Sequence, residues 1–277
     1  MSDPSTTTSG AGVSGARPLV RLERHGEGGH VAELVLDRPE AMNAVSTDMA
    51  RALAAATGEL AEDETVRAVV VSSTHERAFC VGADLKERNS FTDDELRAQR
   101  PLARAAYRGV LDLPVPVVAA VDGFALGGGF EIALSCDLVV AGEGATVGLP
   151  EVSVGVIPGG GGTQLLTRRV GWSKAASMVF TARRLTAAEA RDLGVVDEVV
   201  PAGAARERAL ELAGTIASHS PVGVRNAKKA MRLGFDTDLA AGLDIEDECW
   251  AATAFSGDRA EGVAAFAEKR RPMWPGR

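Results

Sequence analysis

An α/β core running to about residue 200, followed by a helical C-terminal module, is the fold class that this sequence predicts. Three observations predict it. Short β-type runs alternate with helical patterns through the first half of the chain. Two of those runs, "VRAVVVSS" (66–73) and "VPVVAAVDG" (115–123), are nearly unbroken apolar stretches, the pattern of strands covered on both faces. Residues 202–271 read as helices, broken near Ser220-Pro221 and Gly234.

The first element, "HVAELVLD" (30–37), reads as a strand. A helix follows over 46–63, with Ser46 or Thr47 able to cap its first turn. After the strand at 66–73, "FTDDELRAQRPLARAAYRGVLDL" (91–113) opens on the capping box Thr92/Glu95 and reads as a helix despite Pro101. The strand at 115–123 leads into "ALGGGFEIALSCD" (125–137), where a short helix ends at about Ser135. A strand, "DLVVAG", and an extended piece, "ATVGLPE", come next. "TAAEARDLG" (186–194) carries a second capping box, Thr186/Glu189, and a glycine suited to the position past a helix end. "VVDEVV" then reads as a strand ending at Pro201. The expected organisation is a disordered tail over 1–18, the α/β core over 19–200 and the helical module over 201–277, with no fixed-period repeat and no flexible linker. The tail is Ser/Thr/Gly-rich and lacks the apolar region of a secretory signal.

Composition narrows the function. Apolar residues make up 45% and charged residues 25%, as in an ordinary globular protein. The net charge of −8 argues against nucleic-acid and anionic-membrane partners. Cys80, Cys136 and Cys249 are scattered without a CxxC pair, which fits the reducing cytoplasm and argues against a structural zinc site. No stretch approaches the roughly 18 apolar residues of a membrane helix.

The glycine-rich segments exclude several chemistries. "GVIPGGGGTQ" (155–164) has no lysine before Thr163, so it is not a P-loop, and no GxGxxG sits at a strand-to-helix junction. GxSxG and HExxH are absent, and His25, His30, His75 and His219 read as surface or loop residues. What remains is backbone chemistry. The three glycines before Glu131 lie between a buried strand and a helix start, where unpaired N–H groups and the helix dipole suit an oxyanion. A second donor loop, "AFCVGADLKER" (78–88), follows another apolar strand. Each loop alone reads equally as a tight turn; together they suit a clamp on one carbonyl oxygen. Glu131 alone is also explained by the helix dipole. Glu151, in "GLPEVSVGVIPGGGG", is hemmed by apolar residues and can face the same pocket, and paired carboxylates beside an oxyanion site suit proton transfer or water activation.

Taken together, "RPEAMNAV", "AFCVGADLKER", "VPVVAAVDGFALGGGFEIALSCDLVVAG", "GLPEVSVGVIPGGGGTQLLTRRVG" and "DRAEGVAAFAEKRRP" resemble the crotonase (enoyl-CoA hydratase/isomerase) family, in family order over residues 20–277. "GADLKER", "IPGGGGTQ" and "GLDIEDECW" are similar to its methylglutaconyl-CoA hydratase branch. The resemblance implies a right-handed spiral of repeated ββα units and a C-terminal helical trimerisation module, forming a homotrimer or a dimer of trimers. It implies hydration of a 2-enoyl-CoA to a 3-hydroxyacyl-CoA, with methylglutaconyl-CoA hydration or another crotonase-family isomerase or dehydratase reaction as the alternative. The N–H groups of Ala83 and Gly128 form the oxyanion hole in this scheme. Glu131 activates the water and Glu151 helps hold it and protonates C2. Substrate contacts are expected at Ala83, Asp84, Leu85, Phe130 and Leu149, with the 88–100 helix a further pocket wall, and at Trp250 and Lys269 for the CoA nucleotide end. No cofactor and no metal is implied, since coenzyme A is part of the substrate. A non-catalytic RNA-binding role is the alternative from another class; the acidic chain and the lysine-free helix at 46–63 speak against it.

Overall fold

The computed structural model describes residues 17–277. The expected tail, apart from Arg17 and Pro18, lies outside the described residues. The chain begins with β1 (Val20–His25), β2 (Val31–Leu36) and α1 (Thr47–Glu62). Then come β3 (Ala68–Ser73), β4 (Ala78–Cys80), α2 (Leu85–Arg88) and α3 (Asp93–Leu111). The next set is β5 (Val117–Val121), β6 (Phe124–Leu126), α4 (Gly128–Ser135), β7 (Leu138–Gly142) and β8 (Thr146–Gly148). α5 (Gly162–Val170), α6 (Trp172–Phe180), β9 (Arg184–Thr186), α7 (Ala187–Leu193) and β10 (Glu198–Val200) follow. The chain closes with α8 (Ala205–Ala217), α9 (Pro221–Gly234), α10 (Leu239–Ala254) and α11 (Gly257–Glu268).

Two sheets share the strands. The larger has the order β1-β2-β3-β5-β7-β10 and the smaller β4-β6-β8-β9. Only β1/β2 and β8/β9 are antiparallel. Each of β3, β5 and β7 runs in the larger sheet, and the strand after it crosses to the smaller. Helices return the chain to the larger sheet after β4 and β6, whereas after β8 it passes through α5 and α6 to β9 of the smaller sheet and reaches the larger again only at β10. This is the spiral of ββα units that the resemblance implies. The repeat has no fixed sequence period because the segments that follow β4, β6 and β8 differ in length: 81–116, 127–137 and 149–183.

The unbroken apolar runs have the expected cause. In β3, Val69 and Val71 face the main core between the sheets, while Ala68 and Val70 face a second core under α8. β5 alternates in the same way, with Val117 and Ala119 against Val118 and Ala120. α8 sets Ala205, Ala209, Ala213 and Ala217 on this outer face, a small-residue stripe at a spacing of four that lets the helix approach the sheet closely. A buried carboxylate fixes it there. Glu33 on β2 is fully buried and accepts from Arg206 Nε and Nη2, both at 2.7 Å, and from Ser72 Oγ at 2.6 Å. α9 is held by Lys228 Nζ, which donates to Asp137 Oδ2 and the Val115 carbonyl at 2.7 Å each.

Local signals decide the helix ends. Ser46, not Thr47, caps α1, accepting from Met49 N. Both capping boxes form, at Thr92/Glu95 and Thr186/Glu189, and Gly194 ends α7 in the left-handed conformation. α3 continues through Pro101. The C-terminal helices break at Ser220-Pro221 and Gly234 as expected, and once more at Ser256, whose side chain caps α11. The strand expected over 195–200 is shorter: Val195 and Val196 are core residues before β10 begins.

Candidate active site

Each glycine of the triplet has its own structural cause. Gly127 has φ +53°, outside the reach of most side chains, and turns the chain from β6 into α4. A Cβ at Gly128 would lie 2.2 Å from the Tyr107 hydroxyl, and one at Gly129 would lie 2.0 Å from the Cys80 carbonyl. The helix therefore starts with its backbone bare against β4 and α3. The Gly128 N–H has no acceptor among the described residues.

The second donor loop is aimed by a strand-like bridge. Val45 donates to the Gly82 carbonyl at 2.7 Å, and Asp84 N donates to the Val45 carbonyl at 3.1 Å. In this parallel arrangement the residue between, Ala83, points its own N–H away from Val45. That N–H also has no acceptor among the described residues. A Cβ at Gly82 would lie 2.9 Å from Gly128 N, so the two donor loops touch. Asn43 braces the arrangement, accepting from Arg38 N at 2.7 Å and donating to the Phe79 carbonyl at 3.0 Å.

Glu131 and Glu151 lie on one cavity of about 1120 Å³, together with Ala83, Leu85, Gly128 and Tyr107. Glu131 is 3% exposed, and its Oε1 accepts from Gly160 N and Gly162 N at 2.7 Å each. Gly162 opens α5, so the free N–H groups of that helix start hold the carboxylate. Burial still raises the Glu131 pKa above the ordinary range, against the pull of these N–H groups and of Arg100. Glu151 follows β8 and Pro150 in a short 3-10 turn, beside Gly127. Its Oε2 is buried and has no hydrogen-bond partner among the described residues. Burial, with the Glu131 charge adding to it, pushes Glu151 up to about 7. Two acids on one cavity are thus held differently: Glu131 by backbone N–H groups, Glu151 by burial alone, which brings its titration to about neutral pH.

The remaining expected contacts divide. Leu85 is exposed at the cavity mouth, and α3 contributes Leu96, Arg97, Arg100, Arg104 and Tyr107 to the wall. Asp84 is turned away: it caps α2, accepts from Lys86 N and Glu87 N, and pairs with Arg38 at 2.7 Å. Phe130 and Leu149 are fully buried in the main core and do not line the cavity. Trp250 lies on a separate cavity of about 650 Å³ between α9 and α10, and Lys269 caps α11 in the left-handed conformation. Neither reaches the Glu131 cavity within this chain. Sequence reasoning missed Tyr107, Arg100 and the role of the 159–162 turn. The signal for the arginines was present as Arg97, Arg100, Arg104 and Arg108, spaced along one helix face.

Comparison with known proteins supplies the family. The enoyl-CoA hydratase/isomerase family model matches residues 26–277. The chain is 42% identical to mouse enoyl-CoA hydratase domain-containing protein 2, mitochondrial, over 89% of this chain and 85% of that protein. It is 40% identical to human methylglutaconyl-CoA hydratase, mitochondrial, over 92% of this chain and 76% of the relative. The crystal structure of enoyl-CoA hydratase from Bacillus anthracis superposes with a TM-score of 0.90 at 38% identity, covering 94% of this chain and all of that one. The chain belongs to the enoyl-CoA hydratase/isomerase family.

Proposed function

We propose that the protein is a hydro-lyase that adds water syn across the 2,3 double bond of a 2-enoyl-CoA, giving a 3-hydroxyacyl-CoA. The observation that carries this reading is the pair Glu131 and Glu151 on one cavity, beside two N–H groups without acceptors. The Ala83 and Gly128 N–H groups bind the thioester oxygen and stabilise the enolate; each is worth about 3–4 kcal/mol of barrier. Glu131 takes a proton from the water as its oxygen attacks C3. Glu151 delivers a proton to C2, for which a pKa of about 7 suits it. Coenzyme A enters with the substrate, and no other cofactor is required. A relative that only moves a double bond needs one such acid, which favours hydration here.

The assembly that goes with this reading is a homotrimer or a dimer of trimers. Phe255 and Phe266, 88% and 87% exposed on the C-terminal helices, support it as a face made to be covered. In such an assembly Trp250 and Lys269 could serve a neighbour's CoA. Among the described residues no helix is long and apolar enough to cross a membrane, and the three free, buried cysteines support a cytoplasmic location.

A second reading, hydration of 3-methylglutaconyl-CoA, is favoured by one observation. Arg88, Arg97, Arg100, Arg104, Arg108 and Arg184 line the cavity, and among the described residues Glu131 and Glu151 are its only acids. The CoA phosphates can occupy arginines at the mouth. Arg100, however, donates to the Gly159 carbonyl at 2.7 Å, next to the turn that holds Glu131, where a carboxylate on the acyl chain would lie.

Incubation with crotonyl-CoA and with 3-methylglutaconyl-CoA in heavy-oxygen water tests both. The expected result is loss of enoyl absorbance and label on C3 of the product. No turnover of any 2-enoyl-CoA would overturn the reading. A higher kcat/KM for crotonyl-CoA than for 3-methylglutaconyl-CoA would remove the second.

A further inference from the structure

Tyr107 is the chain's single tyrosine. It stands on the inner face of α3 among Ala103, Ala106 and Val110, and only 4% of it is exposed. That small exposed part lies on the Glu131 cavity. The ring spans the two backbone segments on which the proposed chemistry depends. At one end its hydroxyl lies where a Cβ of Gly128 would be, 2.2 Å from that position. At the other end the ring lies against Gly160, whose Cβ would be 2.7 Å from the ring Cγ and whose N–H holds Glu131. Gly82, which precedes Ala83, closes the third side: its Cα is 3.4 Å from the same Gly128 Cβ position. The phenol oxygen, the Gly82–Ala83 peptide and the Gly128 backbone therefore converge on one region.

No hydrogen bond joins the hydroxyl to another described side chain, and its oxygen is not one of the fully buried unpaired polar atoms, so it is open to the cavity that Tyr107 lines. A phenol that faces the cavity without a protein partner keeps its O–H free to donate to whatever binds there. Burial, together with Cys80, Glu131 and Glu151 nearby, raises the phenol pKa, so the group stays neutral and keeps its proton. A neutral donor beside an oxyanion site adds to the stabilisation of charge that develops during the reaction.

We infer that the Tyr107 hydroxyl is a third hydrogen-bond donor to the thioester oxygen, acting with the Ala83 and Gly128 N–H groups. The ring serves at the same time as the wall that fixes the spacing between the oxyanion loop and the turn carrying Glu131. This inference rests on the hydratase reading and adds a catalytic residue to it.

Because there is one tyrosine, uniform incorporation of 3-fluorotyrosine labels this hydroxyl alone. The fluorine resonance of the labelled protein is followed while crotonyl-CoA or free coenzyme A is added. Tyr107→Phe is assayed beside wild type for crotonyl-CoA hydration, with a thermal melt of each. The expected result is a resonance that moves with the acyl thioester and not with free coenzyme A. Tyr107→Phe is expected to lose about 10- to 100-fold in kcat, the range for a hydrogen bond to a charged group, with KM within about threefold. Rescue is expected from Tyr107→His, which restores a donor, but not from Tyr107→Leu. A kcat for Tyr107→Phe within about twofold of wild type, or a resonance moved equally by coenzyme A alone, would overturn the inference. If wild type itself hydrates no enoyl-CoA, the hydratase reading fails instead.

Discussion

Glu131 Oε1 takes two backbone hydrogen bonds at 2.7 Å, from Gly160 and Gly162, whereas Glu151 Oε2, buried beside the same cavity, takes none. The inequality divides the chemistry. The bonded carboxylate is pre-oriented as an acceptor for a proton from water. The unbonded one is left to burial, which pushes its pKa up to about 7, so that it holds a proton for part of the time at neutral pH.

This division gives the pH profile of hydration a definite sign. Glu131 must be ionised, and its raised pKa places the acidic limb above the ordinary carboxylate range. Glu151 must be protonated, so kcat/KM for hydration falls as pH rises through about 7. Initial rates between about pH 5 and 9 check this, and the limbs belong to the coupled pair. Glu151→Gln, with no proton to lose, is expected to show no alkaline limb in its residual rate.

Gly160 is expected to tolerate no side chain. A Cβ there would lie 2.7 Å from the buried Tyr107 ring and 2.9 Å from Glu131 Oε2. Gly160→Ala should lower kcat by about 100-fold by moving the base, the scale of a lost general base, while Tm falls by only about 2–4 °C. Gly144→Ala, where nothing lies within 4 Å, should change neither. Enoyl absorbance and a thermal melt on each variant read both effects.

Removing the guanidinium from Glu33 should cost stability rather than chemistry. Arg206→Met leaves the buried carboxylate only Ser72 and His25 as partners. The expected loss is about 2–3 kcal/mol near neutral pH, below the usual cost of breaking a buried pair because Arg206 is half exposed. The folded-state pKa of Glu33 is lowered, so its contribution is present above the ordinary carboxylate pKa and is lost as pH falls through the folded value. The gap between variant and wild type in urea unfolding should therefore narrow in acid.

Much of this was legible before any coordinates. Long apolar runs and side-chain caps located β2, β3, β5, β7, α1, α3 and α7, because burial on two faces and capping leave local marks. The three-residue strands β4, β6 and β9 were not legible as strands, since so short a segment shows no periodicity, while β8 fell inside the extended piece read over 145–151. α4 and α5 begin behind Gly127 and Gly161 without a capping side chain, so their starts left only glycines in the sequence. The Glu131/Glu151 pair could be read from the two glycine-rich segments. Phe130 and Leu149 were expected on the pocket wall from the family resemblance; both side chains are instead fully buried in the main core.

The central claim is that two carboxylates share the hydration of an enoyl thioester. Its most direct test is the loss of enoyl absorbance with wild type, Glu131→Gln and Glu151→Gln, on the substrate that wild type turns over best. Each variant is expected to lose about 10²- to 10⁴-fold in rate while keeping the wild-type fold. Near-normal hydration by both variants would contradict the account.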